Sequence, residues 1–216
     1  MPSPAKRSPL KEKPLHYPGQ SINEKIDDLW TSFASYLFAA AAFILMIIAT
    51  WIYFYSRKPQ NPTIATVLVI LLVAFCAYKS YRIIKEIRQL KLALDGELAV
   101  GQYLDTLRSQ GAQVFHDVVG EGFNIDHVLI TPNGIFTIET KTRSKPAKGQ
   151  AVISAKDGKL FANGMLIDRD PLTQARAEAR WLQELLKSST GKKFPVKPAV
   201  VFPGWYVEPM KGDEDV

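Results

Sequence analysis

The chain has 216 residues, with 27 Lys and Arg against 21 Asp and Glu and a net charge of +6. Its single cysteine, Cys76, excludes an intramolecular disulfide and a cysteine-built zinc site. Residues 1–94 hold 12 basic against 5 acidic side chains and residues 95–216 hold 15 against 16. The high pI therefore belongs to the N-terminal part and does not argue for nucleic-acid binding by the rest.

In chain order, 1–28 reads as a flexible arm, rich in Pro, Lys and Ser over its first 20 residues. No charged residue occurs from Leu29 to Ser56, and 33–55 is almost wholly apolar or aromatic. About 20 such residues, rising 1.5 Å each, cross a hydrocarbon core of roughly 30 Å. After a turn at Pro59-Gln60-Asn61-Pro62 comes a second, shorter apolar stretch, 63–78. Two transmembrane helices are expected within 29–81, too far from Met1 for a signal peptide.

Lys79, Arg82, Lys85, Arg88 and Lys91 follow at steps of three, predicting a basic juxtamembrane helix over 82–94 that meets anionic lipid headgroups. The basic flanks favour both termini in the cytoplasm, in an integral protein of a bacterial inner membrane. Neither span carries an ionisable carboxylate, Lys, Arg or His to mark a substrate path, which weighs against a transporter. No Gly-x-x-x-x-Gly-Lys-[Ser/Thr] and no Gly-x-Ser-x-Gly occurs, so a nucleotide-driven motor and a serine hydrolase are not indicated.

Residues 95–216 read as an α/β domain. The spacing predicts a helix over 95–108 with Leu98, Tyr103, Leu104 and Leu107 inward. A strand follows at 113–119. Strands at 124–130 and 135–142 form a hairpin around Asn133-Gly134. A second hairpin is expected at 150–154 and 160–162. Asp170 and Pro171 then open a helix reaching about 187, with Leu172, Ala175, Ala179, Leu182 and Leu186 buried, and a last strand lies at 196–202.

The first hairpin carries the chemistry. Residues two apart on a strand share a face, so Glu139 and Lys141 point together, and Asp126 lies near them on the partner strand. Hard oxygen ligands of this kind suit Mg²⁺. A cation beside a scissile phosphodiester polarises the phosphoryl oxygen and acidifies water, and a lysine stabilises developing charge. Glu-x-Lys alone is ordinary strand decoration; it is the Asp-bearing partner strand that raises it. His127 neighbours Asp126 but faces the other way and reads as a hydrogen-bonded core histidine.

Gly96-Glu97, Phe115-His116-Asp117-Val118, Asn124-Ile125-Asp126-His127-Val128, Gly134-Ile135-Phe136 and Ile138-Glu139-Thr140-Lys141 occur in order. Pro171-Leu172-Thr173-Gln174 and Pro198-Ala199-Val200-Val201-Phe202-Pro203 continue the series. It resembles the nuclease-related domain (NERD) family of the PD-(D/E)xK superfamily. The resemblance implies a restriction-endonuclease-like mixed sheet flanked by helices, preceded here by a transmembrane helical hairpin. It also implies a further strand and short helix past the end of this chain. Glu97, Asp126 and Glu139 would be the metal-site acids for Mg²⁺ or Mn²⁺, Lys141 the catalytic lysine and Gln174 an accessory polar group. The implied partners are the lipid membrane and nucleic acid, DNA before RNA. A non-catalytic nucleic-acid-binding or assembly module on the same anchor is the alternative.

Overall fold

A computed structural model describes residues 15–57, 61–147, 149–156, 158–167 and 170–209. The start of the arm, the middle of the turn at 58–60, Lys148, Asp157 and the acidic end at 210–216 lie outside the described residues. The chain divides into two compact units, Ser21–Asp95 and a second made of Met1–Gln20 with Gly96–Val216.

The first unit is a helical hairpin, formed by most of α1 (Gln20–Arg57) and the first part of α2 (Thr63–Thr106). Both helices are long and apolar enough to cross a membrane. They join through Ile26, Ile83 and Ile87 at one end and through the Trp51 indole, which donates to Thr66 Oγ1 at 2.9 Å, at the other. Lys25 pairs with Glu86 at 3.0 Å, and the Lys91 ammonium lies 5.9 Å from the centre of the Trp30 ring. None of the most apolar window of α1 is buried within the protein.

The second unit is built on a four-stranded mixed sheet of order β1-β2-β3-β7. β1 (Gln113–Val119), β2 (Asn124–Thr131) and β3 (Gly134–Thr140) run antiparallel as a meander. β7 (Val196–Val201) joins β3 in parallel after a crossover through α3 (Pro171–Thr190). Alternate residues of β3 serve two layers, as the period of a strand requires. Phe136 and Ile138 pack with Val100 and Leu104 of α2, and Ile135 packs in the cluster of Leu182 on α3. A second sheet of order β6-β5-β4-β8 is inserted before and after α3. It consists of β4 (Val152–Lys156), β5 (Lys159–Ala162), β6 (Met165–Leu166) and β8 (Tyr206–Val207). Its core joins Ile153, Leu160 and Ala162 to Leu172 and Phe202. The chain is thus an α/β protein with mixed sheets flanked by helices, as expected, although one sheet was anticipated and there are two.

Three local differences have physical reasons. The hairpin turn is centred on Pro132-Asn133 rather than Asn133-Gly134, because Thr131 pairs with Gly134. Pro132 presets the φ that a first central turn position needs, and Gly134 takes the left-handed φ of 142°. Tyr103, expected inside, is 68% exposed, and Val100 takes the inward position. Finally, residues 15–20 of the arm expected to be flexible pack on the second unit. The His16 ring bonds Asp117 Oδ2 at 2.9 Å, and Pro18 covers Gly101.

α2 runs through Asp95-Gly96 without a break, and Gly96 is needed there for space. A Cβ on it would stand 1.7 Å from Thr142 Oγ1 and 2.8 Å from Thr142 Cβ. Gly96→Ala is expected to cost about 1–3 kcal/mol, the usual scale of overpacking, read as a lower Tm. Adding Thr142→Gly should recover much of the loss, and Thr142→Ala less, because the residue 142 Cβ stays 2.8 Å away. Equal Tm for Gly96→Ala and the wild type would refute this contact.

Candidate active site

The site lies where β2 and β3 part. The last paired residues are His127 and Ile138. One step further in that register, Asp126 stands across from Glu139. Here the Asp126 side chain replaces the backbone ladder, with Oδ2 accepting from the Thr140 N–H at 2.6 Å. The next amide, Lys141 N–H, bonds instead to Val201 O at 2.9 Å. β3 stays paired with β7 through Thr140 while β2 leaves it after Ile138, so Glu139 and Lys141 occupy the fork. The Lys141 ammonium donates to Glu139 Oε1.

α3 supplies the third side. Asp170 caps it by accepting from Leu172 N–H at 3.1 Å, with Pro171 in the first turn. That start sets Gln174 over the fork, where its carbonyl accepts from Lys141 Nζ at 2.9 Å. Its amide donates to Glu178 Oε1, also at 2.9 Å. Glu97 enters from α2, one residue after the glycine that lets the helix approach Thr142. Its charge acts on Asp126, and Glu139 and Lys141 act on it. Of the five residues expected from the sequence, Lys141 contacts Glu139 and Gln174, Asp126 faces Glu139 in register, and Glu97 lies within electrostatic reach of them.

Burial makes the cluster unusual. Glu97, Glu139 and Glu178 are 7%, 3% and 2% exposed, although acids are rarely buried without a partner of opposite charge. Desolvation first, then Asp117 and Glu139, push Glu97 up to about 7 while Lys141 pulls it down. Desolvation, Glu139 and Glu97 hold Asp126 well above the usual carboxylate range, against the Thr140 N–H. Glu178 is pushed up to about 8, by desolvation first and by Glu139 next.

Sequence reasoning missed Glu178. The signal was present, since Glu178 falls within the apolar stripe of Ala175, Ala179 and Leu182 and four residues after Gln174.

The neighbouring histidines belong to the framework. His127 is fully buried, and its Nδ1 shares a 2.9 Å hydrogen bond with His116 Nδ1. His116 Nε2 reaches Asp105 Oδ1 at 3.1 Å. Desolvation and the adjacent His116 lower His127 to about 4, so it is neutral at physiological pH. Asp117 takes the left-handed φ of 48° and is held by His16 and by Asn124 Nδ2 at 3.1 Å.

Among the described residues, no three His, Asp or Glu side chains are already closed around an ion position. The donor chemistry nevertheless fits Mg²⁺ or Mn²⁺. Glu139 Oε2 and Glu178 Oε2 are buried and meet no donor other than a proton shared between their two carboxyl groups, which lie within hydrogen-bond reach of each other. The surrounding oxygens are hard and carry an excess of negative charge that a cation would relieve.

No curated protein and no solved structure matches the chain. The family model described as "Nuclease-related domain" matches residues 93–203, a little over half of the sequence. That stretch begins in α2 just before Glu97 and ends just after β7, so it contains every residue of the fork and of α3 described above. With its acids, lysine and glutamine gathered at one place in that stretch, the chain belongs to the nuclease-related domain family.

Proposed function

We propose that the protein is a membrane-anchored nuclease that hydrolyses phosphodiester bonds of nucleic acid with Mg²⁺ or Mn²⁺. The observation that carries this reading is the gathering of buried Glu97 and Glu139 with Asp126, the Lys141 ammonium being bonded to Glu139. A binding surface has no need of acids held at such desolvation cost.

Glu97, Asp126 and Glu139 would hold the cation. When bound, it would polarise a phosphoryl oxygen and acidify a water molecule. Asp126 is aimed by the Thr140 N–H. Lys141 carries the positive charge that faces the phosphate and orients the attacking water. Gln174 limits the swing of Lys141 by accepting a hydrogen bond from its ammonium.

The test is cleavage by the purified full chain in detergent, with Mg²⁺ or Mn²⁺, of single- and double-stranded DNA and RNA. Cleavage that EDTA stops supports the reading, with DNA expected to be the better substrate. Binding without cleavage of any of the four would overturn it in favour of a tethered, non-catalytic module. The lack of a ready-closed ion position among the described residues is the observation on that side.

The anchor is argued from surface chemistry. Phe38 is 77% exposed, Leu45 67% and Ile64 78%, and an apolar belt of this extent needs lipid or a partner to cover it. The basic stripe from Lys79 to Lys91 favours both ends of the chain in the cytoplasm. Reporters fused at Met1 and at Val216 should therefore both report a cytoplasmic location. A C-terminal reporter on the far side would remove the site from cytoplasmic nucleic acid.

A further inference from the structure

Glu178 has no part in the reading above, yet it is the most deeply buried acid of the cluster. It sits on α3 between Ala175, Ala179 and Leu182, all buried, where an apolar side chain would pack without penalty. One of its oxygens is accounted for. Gln174 gives its carbonyl to Lys141 and its amide to Glu178 Oε1, so these two partners fix which way the amide points. No other donor reaches the second Glu178 oxygen, Oε2, or Glu139 Oε2; both are buried, and the two carboxyl groups lie within hydrogen-bond reach of each other, so the pair needs a shared proton or a cation. The charge of Glu178 acts on both Glu139 and Asp126. The Lys141 ammonium is already engaged by Glu139 and Gln174.

We propose that Glu178 is a fourth acidic residue of the cation site. Its Oε2, facing the Glu139 carboxyl, would reach the ion from α3, while Gln174 fixes its other oxygen and ties it to Lys141. The inference rests on the reading of the site as metal-dependent. It explains why an acid occupies a helix position that packing alone would fill with an aliphatic residue. It also gives Gln174 a second task, since one amide positions both the lysine and the added ligand.

A merely structural Glu178 would do no more than hold Gln174 in place. A glutamine at 178 does that equally well, because its carbonyl accepts the same hydrogen bond. Glu178→Gln therefore separates the two roles. The experiment measures Mn²⁺ binding to the full chain in detergent, after EDTA stripping, by electron paramagnetic resonance and by calorimetry. Glu178→Gln should weaken Mn²⁺ about 10-fold or more, a loss at least as large as that for groups one shell further out. Its Tm in EDTA should not fall. Glu178→Asp keeps the charge, withdraws the oxygen by one methylene and should bind with intermediate affinity; it carries the test if the glutamine variant fails to fold. Wild-type affinity in the variants would overturn the role of Glu178 and leave the nuclease reading standing. A wild type that binds no Mn²⁺, like Asp126→Ala, would remove both.

Discussion

Asp126→Ala and Glu139→Ala are each expected to bring metal-dependent cleavage down to background in a nuclease assay of the full chain. Both acids lie at the fork where β2 and β3 separate, and neither has a neighbour that takes over its place. Asp126 is fixed by a backbone amide and Glu139 is almost fully buried. Lys141→Ala should act differently. It leaves the three acids in position, so Mn²⁺ binding should persist, while the rate falls by roughly 10²-fold or more, the scale of losing one well-placed electrostatic group. Affinity for nucleic acid should change far less in all three variants, because phosphate contacts spread over many basic side chains dominate it. Full activity in either alanine variant of the acids would sink the assignment.

The second large effect is on stability against pH. Glu97 and Glu178 have folded-state values of about 7 and about 8, above the ordinary 4.5 of a glutamate. The folded protein thus holds protons that the unfolded chain has released. The stability linked to them is complete below the unfolded value and is lost as pH rises through the folded values. His127 works in the opposite sense, being lowered from 6.5 to about 4, but above pH 6.5 it no longer contributes. Between pH 6.5 and about 8.5, metal-free protein should therefore lose on the order of 2 kcal/mol, seen as a Tm that falls with pH in EDTA. Saturating Mg²⁺ should flatten that slope by stabilising the ionised carboxylates. A Tm in EDTA that is level or rising across this window would show that the acids are not held protonated.

The elements legible in the sequence were those with strong local chemistry. The meander hairpin showed through its alternation and its Asn-Gly signal, one residue off the true turn centre, and α3 through Asp170-Pro171 at its start. Strands β6 and β8, of two residues each, carry no period to read and exist only because β5 and β4 offer them edges. Tyr103 was misplaced because the inward face of a long helix depends on what packs against it, here Val114 and Ile138 against Val100 and Leu104. At the site, the Asp and Glu-x-Lys pattern could be read because strand geometry puts two-apart residues on one face. Glu178 left only a weaker trace, its place within the apolar stripe of Ala175, Ala179 and Leu182. An acid on an amphipathic helix ordinarily marks the wet side, and only the tertiary fold shows that this one points inward.

The burial of several like-charged acids in one fork has a consequence for anyone diversifying this protein. A library sorted only for survival at high temperature without metal, at a pH above about 8, should enrich neutral residues at 97 and 178, since each then removes a desolvated charge from a crowded place, while Glu139 is kept by its pairing with Lys141. The most heat-resistant clones would then be the least able to act on a substrate. Sorting in the presence of Mg²⁺ should reverse that preference, because binding of a cation to the folded form favours the acidic residues that hold it.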